Sequence, residues 1–135
     1  MGKYTALQND IFSIFASATW KAENLKTYPT DMLATDTGSE FIRVDVISNA
    51  KGVNIGSISG VLIIDIFVSA GKGPARANFI ADRLDTYLVG KSFQLSAPSS
   101  TQFLNSTMAF VGRDPENKAL SRYHYTIPFN YFGVL

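Results

Sequence analysis

The sequence contains no cysteine. That absence excludes a disulfide framework, a thiolate nucleophile and a thiolate metal site, and it suits a reducing compartment. Histidine occurs once, at His124. A metal site would need that residue plus scattered carboxylates, and no ligand spacing supports one, so neither a metal nor another cofactor is expected. A Ser-His-Asp arrangement would also have to use His124, and no Gly-x-Ser-x-Gly elbow supplies the nucleophile. No catalytic residue is assigned, and the chain does not read as an enzyme. Charge is scarce too. Asp, Glu, Lys and Arg make up 17% of the composition, the net charge is +1, and no run of Lys or Arg occurs. A nucleic-acid binder working through a basic face is not expected. The apolar runs are too short to span a bilayer, and the opening Met-Gly-Lys-Tyr-Thr lacks the apolar core of a secretory signal, so neither a membrane span nor export by that route is expected. Internal repeats, low-complexity segments and linkers are missing, which at 135 residues predicts a single domain over 1–135.

Apolar side chains are plentiful. Hydrophobic residues make up 46%, with ten Phe and six Tyr. A monomer of this size has much surface per volume, so other subunits or partners are expected to cover some of them. The chain is organised around residues 57–90. The β-branched run Gly60-Val61-Leu62-Ile63-Ile64-Asp65-Ile66-Phe67-Val68 predicts a central buried strand. A small-residue turn, Ser69-Ala70-Gly71-Lys72-Gly73, leads into a helix over 74–89, with Pro74 at its start, Gly90 past its end, and Ala77, Ile80, Ala81, Leu84 and Leu88 as its apolar stripe.

Leu7, Ile11, Ile14, Phe15 and Ala18 predict a first helix capped at Thr5, followed by a short strand at 19–24. Residues 25–39, with Pro29, Asp31, Asp36 and Gly38, read as a long loop. Glu40 to Ser48 alternates as a half-buried strand, with Ile42, Val44 and Val46 opposite to Phe41, Arg43, Asp45 and Ile47. A hairpin tip over 49–56 exposes Val53 and Ile55 between glycines. Asp65 lies within an apolar run and needs a partner or an interface; Arg43 across the ladder is the expected partner. Thr101 to Val111 reads as one strand. Ser121 to Phe132 reads as an aromatic strand with Tyr123, Tyr125, Ile127, Phe129 and Tyr131 on one face, and Pro128 predicts an interrupted, open edge. The expected architecture is α+β: a mostly antiparallel sheet with two main helices packed against it.

The turn at Gly71 to Arg76 lies between a strand and a helix, where a phosphate could sit. It lacks both Gly-x-Gly-x-x-Gly and a complete Walker A, and Pro74 removes an N–H. A small phosphoryl-ligand enzyme using this turn is therefore the lesser alternative.

Three stretches together, Phe41-Ile42-Arg43-Val44, Gly60 to Phe67, and Ala70-Gly71-Lys72-Gly73-Pro74-Ala75-Arg76-Ala77 followed by Ile80-Ala81-Asp82-Arg83-Leu84, resemble the phage tail terminator (tail completion) family. Trp20-Lys21-Ala22-Glu23-Asn24 and the aromatic stretch Tyr123 to Tyr131 are similar to the family's flanking segments. The resemblance implies a structural virion protein that caps the tail tube as a ring, commonly of six, and presents a surface for head-tail joining. The implied partners are further copies of the chain, the tail tube protein and the head-tail connector protein. Genomic DNA would pass through the lumen without specific binding. The implied location is the head-proximal end of the virion tail, reached from the host cytoplasm. Another tail-tube or connector subunit is the alternative of the same class. A closed ring needs two different patches on each subunit. Candidate contacts are Val53, Ile55, Arg43, Asp65, Tyr125, Phe129 and Tyr131, with Asp31 and Asp36 as acidic groups near a pore.

Overall fold

The computed structural model describes residues 2–29, 39–71, 73–95, 97–115 and 117–133. Helix α1 (Lys3–Ala16) and the short α2 (Ala18–Lys21) come first. Strands β1 (Thr27–Pro29), β2 (Phe41–Lys51) and β3 (Ile58–Ser69) follow, then helix α3 (Ala75–Leu88). The chain ends with β4 (Ser92–Phe93), β5 (Ser100–Phe103), β6 (Thr107–Arg113) and β7 (Leu120–Phe132). One sheet runs β1-β2-β3-β7-β5-β4, with β6 also on β7. Among the described residues β1 on β2 is the one parallel pair, and the other pairs are antiparallel. The expected α+β architecture holds.

Alternation along the two longest strands decides where the core sits. On β3, Leu62, Ile64, Ile66 and Val68 are buried, and on β7 Tyr123, Tyr125, Ile127, Phe129 and Tyr131 are buried opposite them. The stripes of both long helices join that cluster: Leu7, Ile11 and Ile14 from α1, and Ala77, Ile80, Leu84 and Leu88 from α3. Period 2 and period 3.6 thus meet at one layer. The opposite sheet face carries a smaller cluster of Phe41, Phe67 and Leu120, with Tyr28 beside it and the Phe41 and Phe67 rings stacked at 4.3 Å.

Local departures from the sequence reading have identifiable causes. Residues 18–21 form a helical turn rather than a strand, because the Ser17 hydroxyl accepts from the Trp20 amide and caps it. The N-cap of α1 is Gly2 rather than Thr5. Pro74 occupies the N-cap of α3, one position earlier than expected, while Gly90 adopts φ +69° just after the C-cap Val89. The expected single strand over 101–111 is two, β5 and β6, which pair with different halves of β7. Gly60 is required where β2 crowds β3, since a Cβ there would collide with the Ile47 carbonyl.

Candidate interaction surfaces

The hairpin after β2 is an ordered tip. The Asn54 side chain accepts from the Gly56 amide at 2.8 Å and from the Ser57 hydroxyl at 3.0 Å. The Lys3 ammonium donates to the Ile55 carbonyl at 3.0 Å, and the Gly133 amide donates to the Ser57 hydroxyl at 3.0 Å. The tip is therefore tied to both chain ends, yet Val53 is 76% and Ile55 85% exposed. Two apolar side chains are held outward by a network that does not need them.

The aromatic strand corrects the sequence reading. Tyr125, Phe129 and Tyr131 are buried in the subunit's own core. The outer edge of β7 is also occupied: β6 pairs with it up to Thr126, β5 from Phe129 onward, and the Leu104 amide donates to the Pro128 carbonyl at 3.0 Å between them. Amide and carbonyl of one residue point the same way in such a ladder, so the missing donor of Pro128 faces the seam where β6 gives way to β5. Proline marks a change of neighbours here, and the open edge expected beside these three residues is absent.

The Tyr125 hydroxyl donates to Asp85 at 2.6 Å, as does the Ser106 hydroxyl. Burial first, and then this bond, push the phenol far above its ordinary pKa, so it stays protonated and joins α3 to the sheet.

Asp65 is also reassigned. Its Cα lies in register with Arg43 on one side and His124 on the other. The carboxylate turns toward β7: Arg122 Nη2 donates to Oδ2 at 2.9 Å, and His124 Nε2 lies 2.8 Å from Oδ1 without hydrogen-bond alignment. The expected Arg43 pairing gives way because the Arg122 guanidinium is positioned over the Phe67 ring, 5.7 Å from its centroid, and reaches the carboxylate from there. Asp65 is buried inside the subunit, and Arg43 remains half-buried on the same sheet face. Asp31 and Asp36 lie outside the described residues.

In the turn after β3, Gly71 and Gly73 adopt φ +83° and +76°, which explains the glycines as backbone requirements. Arg76, the cation at its far end, is held by Glu40 through a bidentate pair at 2.7 and 2.8 Å, which raises its pKa. Lys72 lies outside the described residues. Among the described residues, no group of three His, Asp or Glu is placed to hold a metal, and no helix is long and apolar enough to cross a membrane.

Two surfaces escaped the sequence reading. Strand β6 pairs with β7 on one side, and among the described residues no strand pairs with its other side. Its Phe110 is 62% and Val111 49% exposed. Across the sheet, a groove of about 600 Å³ opens between α1 and β2, lined by Tyr4, Leu7, Gln8, Phe12, Pro29, Val46 and Ser48. The stretch Thr107 to Gly112 has no charged residue, and that signal was available in the sequence. The groove depends on how α1 crosses β2, and no local pattern encodes it.

No known protein family matches the chain, and no curated protein matches it. Solved structures do. A chain from the virion of a native gene transfer agent particle superposes with a TM-score of 0.65 at 19% identity, over 96% of this chain and 97% of that one. Another solved chain, carrying no descriptive name, gives 0.63 at 15% identity, over 98% and 94%. At these identities the likeness shows a shared fold, and it spans nearly the whole length of each chain.

Proposed function

We propose that this chain is a structural virion protein of the phage tail, acting as a tail terminator: a ring subunit that caps the tail tube and presents a surface to the head-side connector. The observation that carries the reading is the end-to-end fold likeness to a chain of a gene transfer agent virion. The residue resemblance between Gly60 and Leu84 to tail terminators points the same way.

The geometry is compatible in three respects. The hairpin holds Val53 and Ile55 outward, where an isolated subunit gains nothing from them. Titratable groups are engaged in pairs that join elements, as with Glu23 and Arg83 or Asp85 and Tyr125. Exposed apolar side chains lie on several distinct surfaces, as heterologous ring contacts require.

The test is the double variant Val53→Asp with Ile55→Asp. It should stay folded by circular dichroism, since both side chains face water. Phage carrying it should make tails of uncontrolled length, because charge would be buried without compensation in the contact. Normal tails would remove the hairpin from the assembly surface.

A further inference from the structure

We propose that the sheet continues from one copy of this chain to the next, with the outer edge of β6 pairing antiparallel to the outer side of β2 from Val46 onward in a second copy and Phe110 entering the groove beneath that copy's α1. The proposal rests on the ring reading above and specifies its subunit contact.

Strand β6 is an edge without the usual protection. Natural edge strands carry charges, prolines or covering loops that block pairing with another chain. From Thr107 to Gly112 this one has no charge and no proline, and five of the seven β6 residues are exposed. Its only irregularity is the shift between Phe110 and Gly112. Phe110 pairs in register with Tyr123 and therefore points to the helix-covered side of the sheet, where its ring tilts against Tyr123 at 5.0 Å. Even so, Phe110 is left 62% exposed.

The complementary feature is on the opposite edge. Strand β1 is in register with β2 only at Ile42, Arg43 and Val44, and among the described residues no strand pairs with the outer side of β2 from Val46 onward. Val46 is in register with buried Leu62, so it too faces the helix-covered side, and there it forms the groove floor under Tyr4, Leu7 and Phe12. An exposed aromatic on one edge and an apolar groove on the other thus lie in the same layer.

Strand direction agrees. Each step from β2 to β3, β7 and β6 is antiparallel, so β6 runs opposite to β2, and a copy placed beside it by rotation meets it antiparallel. The two openings also lie at different heights. β6 stands opposite Ser121 to Thr126 of β7, which leads through Val68 to Ile63 of β3 to Phe41 to Asp45 of β2, whereas the part of β2 with no outer strand among the described residues begins at Val46. Joining them requires a stagger of about one residue per strand over the four strands, the kind of offset that tilted strands in a closed barrel supply. Because the two edges differ, the contact is heterologous and propagates around a ring instead of closing a dimer.

The absence of cysteine gives the test a clean background. The variant carrying both Phe110→Cys and Ser48→Cys should form disulfide-linked or short bis-maleimide-linked oligomers, and either single variant should form none. Phe110→Asp should keep its fold and weaken assembly roughly tenfold or more. If the unmodified chain assembles but the double-cysteine variant does not cross-link, the edge contact is wrong while the ring survives. Cross-linking by one single variant would show an isologous contact and also overturn it. An unmodified chain that stays monomeric even with isolated tail tubes would defeat the ring reading, and this contact with it.

Discussion

At the scale of single residues, paired charges act as ties between elements. Asp65 is held by Arg122 two residues along β7 from its cross-strand neighbour, and the guanidinium is steadied by the Phe67 ring. A double-mutant cycle on Asp65→Ala and Arg122→Ala should show a coupling of roughly 0.5–3 kcal/mol in urea unfolding. The corresponding cycle with Arg43→Ala should give a smaller one, and the reverse order would restore Arg43 as the partner. Glu23 ties the turn after α2 to α3: its carboxylate accepts two bonds from Arg83, at 2.6 and 3.0 Å, and one from the Tyr87 hydroxyl at 2.9 Å. The Arg83 bonds, then the tyrosine, hold its pKa below the ordinary carboxylate value. A lowered folded-state pKa means that the stabilisation is present above the unfolded-state value and lost as pH falls through the folded one. The stability gap between parent and Glu23→Gln should therefore shrink as the pH is lowered through and below the ordinary carboxylate range, as read by thermal unfolding. A gap that widens in acid would contradict the assignment. Asp65 shows the limit of reading such contacts from sequence. That a charge within Val61 to Phe67 needs a partner follows from burial alone. Which of two flanking strands supplies it depends on side-chain direction, and the aromatic that positions Arg122 is contributed by β3 itself.

Elements with strong periodicity were legible, and those defined by their neighbours were not. The central strand, the aromatic strand and α3 follow from alternation and from the stripe Ala77, Ile80, Ala81, Leu84 and Leu88, which is buried as a unit. Leu84→Ala should destabilise the fold by roughly 2–5 kcal/mol, measured by denaturant unfolding, because it opens a cavity in the layer between α3 and the sheet. A loss under about 0.5 kcal/mol would place the helix elsewhere. Gly60→Ala should also destabilise, since the added Cβ meets backbone that cannot move aside. The aromatic strand is legible as a strand, but its place in the core is not. Its alternating face looked like surplus surface beside a proline, yet the two separate strands β5 and β6 complete its outer side, and that division has no local signature beyond Leu104-Asn105-Ser106. The hairpin tip was legible for the opposite reason: glycines flank two apolar residues that have nothing nearby to pack against.

At the scale of the whole molecule, composition and structure agree on an unfinished surface. The sequence is rich in apolar side chains, and Val53, Ile55, Phe110 and Val111, on the hairpin and on one sheet edge, are among the large ones left exposed. Under the proposed function, neighbouring copies in a ring would cover such side chains. Under the proposed function, this chain closes into a ring on the end of a tail tube. Electron microscopy of the purified chain mixed with isolated tail tubes tests it most directly. A terminator should give a closed ring on one end of each tube, no further elongation from that end, and no tube formed by the chain alone. Tubes that remain bare and keep growing, or a chain that polymerises into tubes by itself, would contradict it.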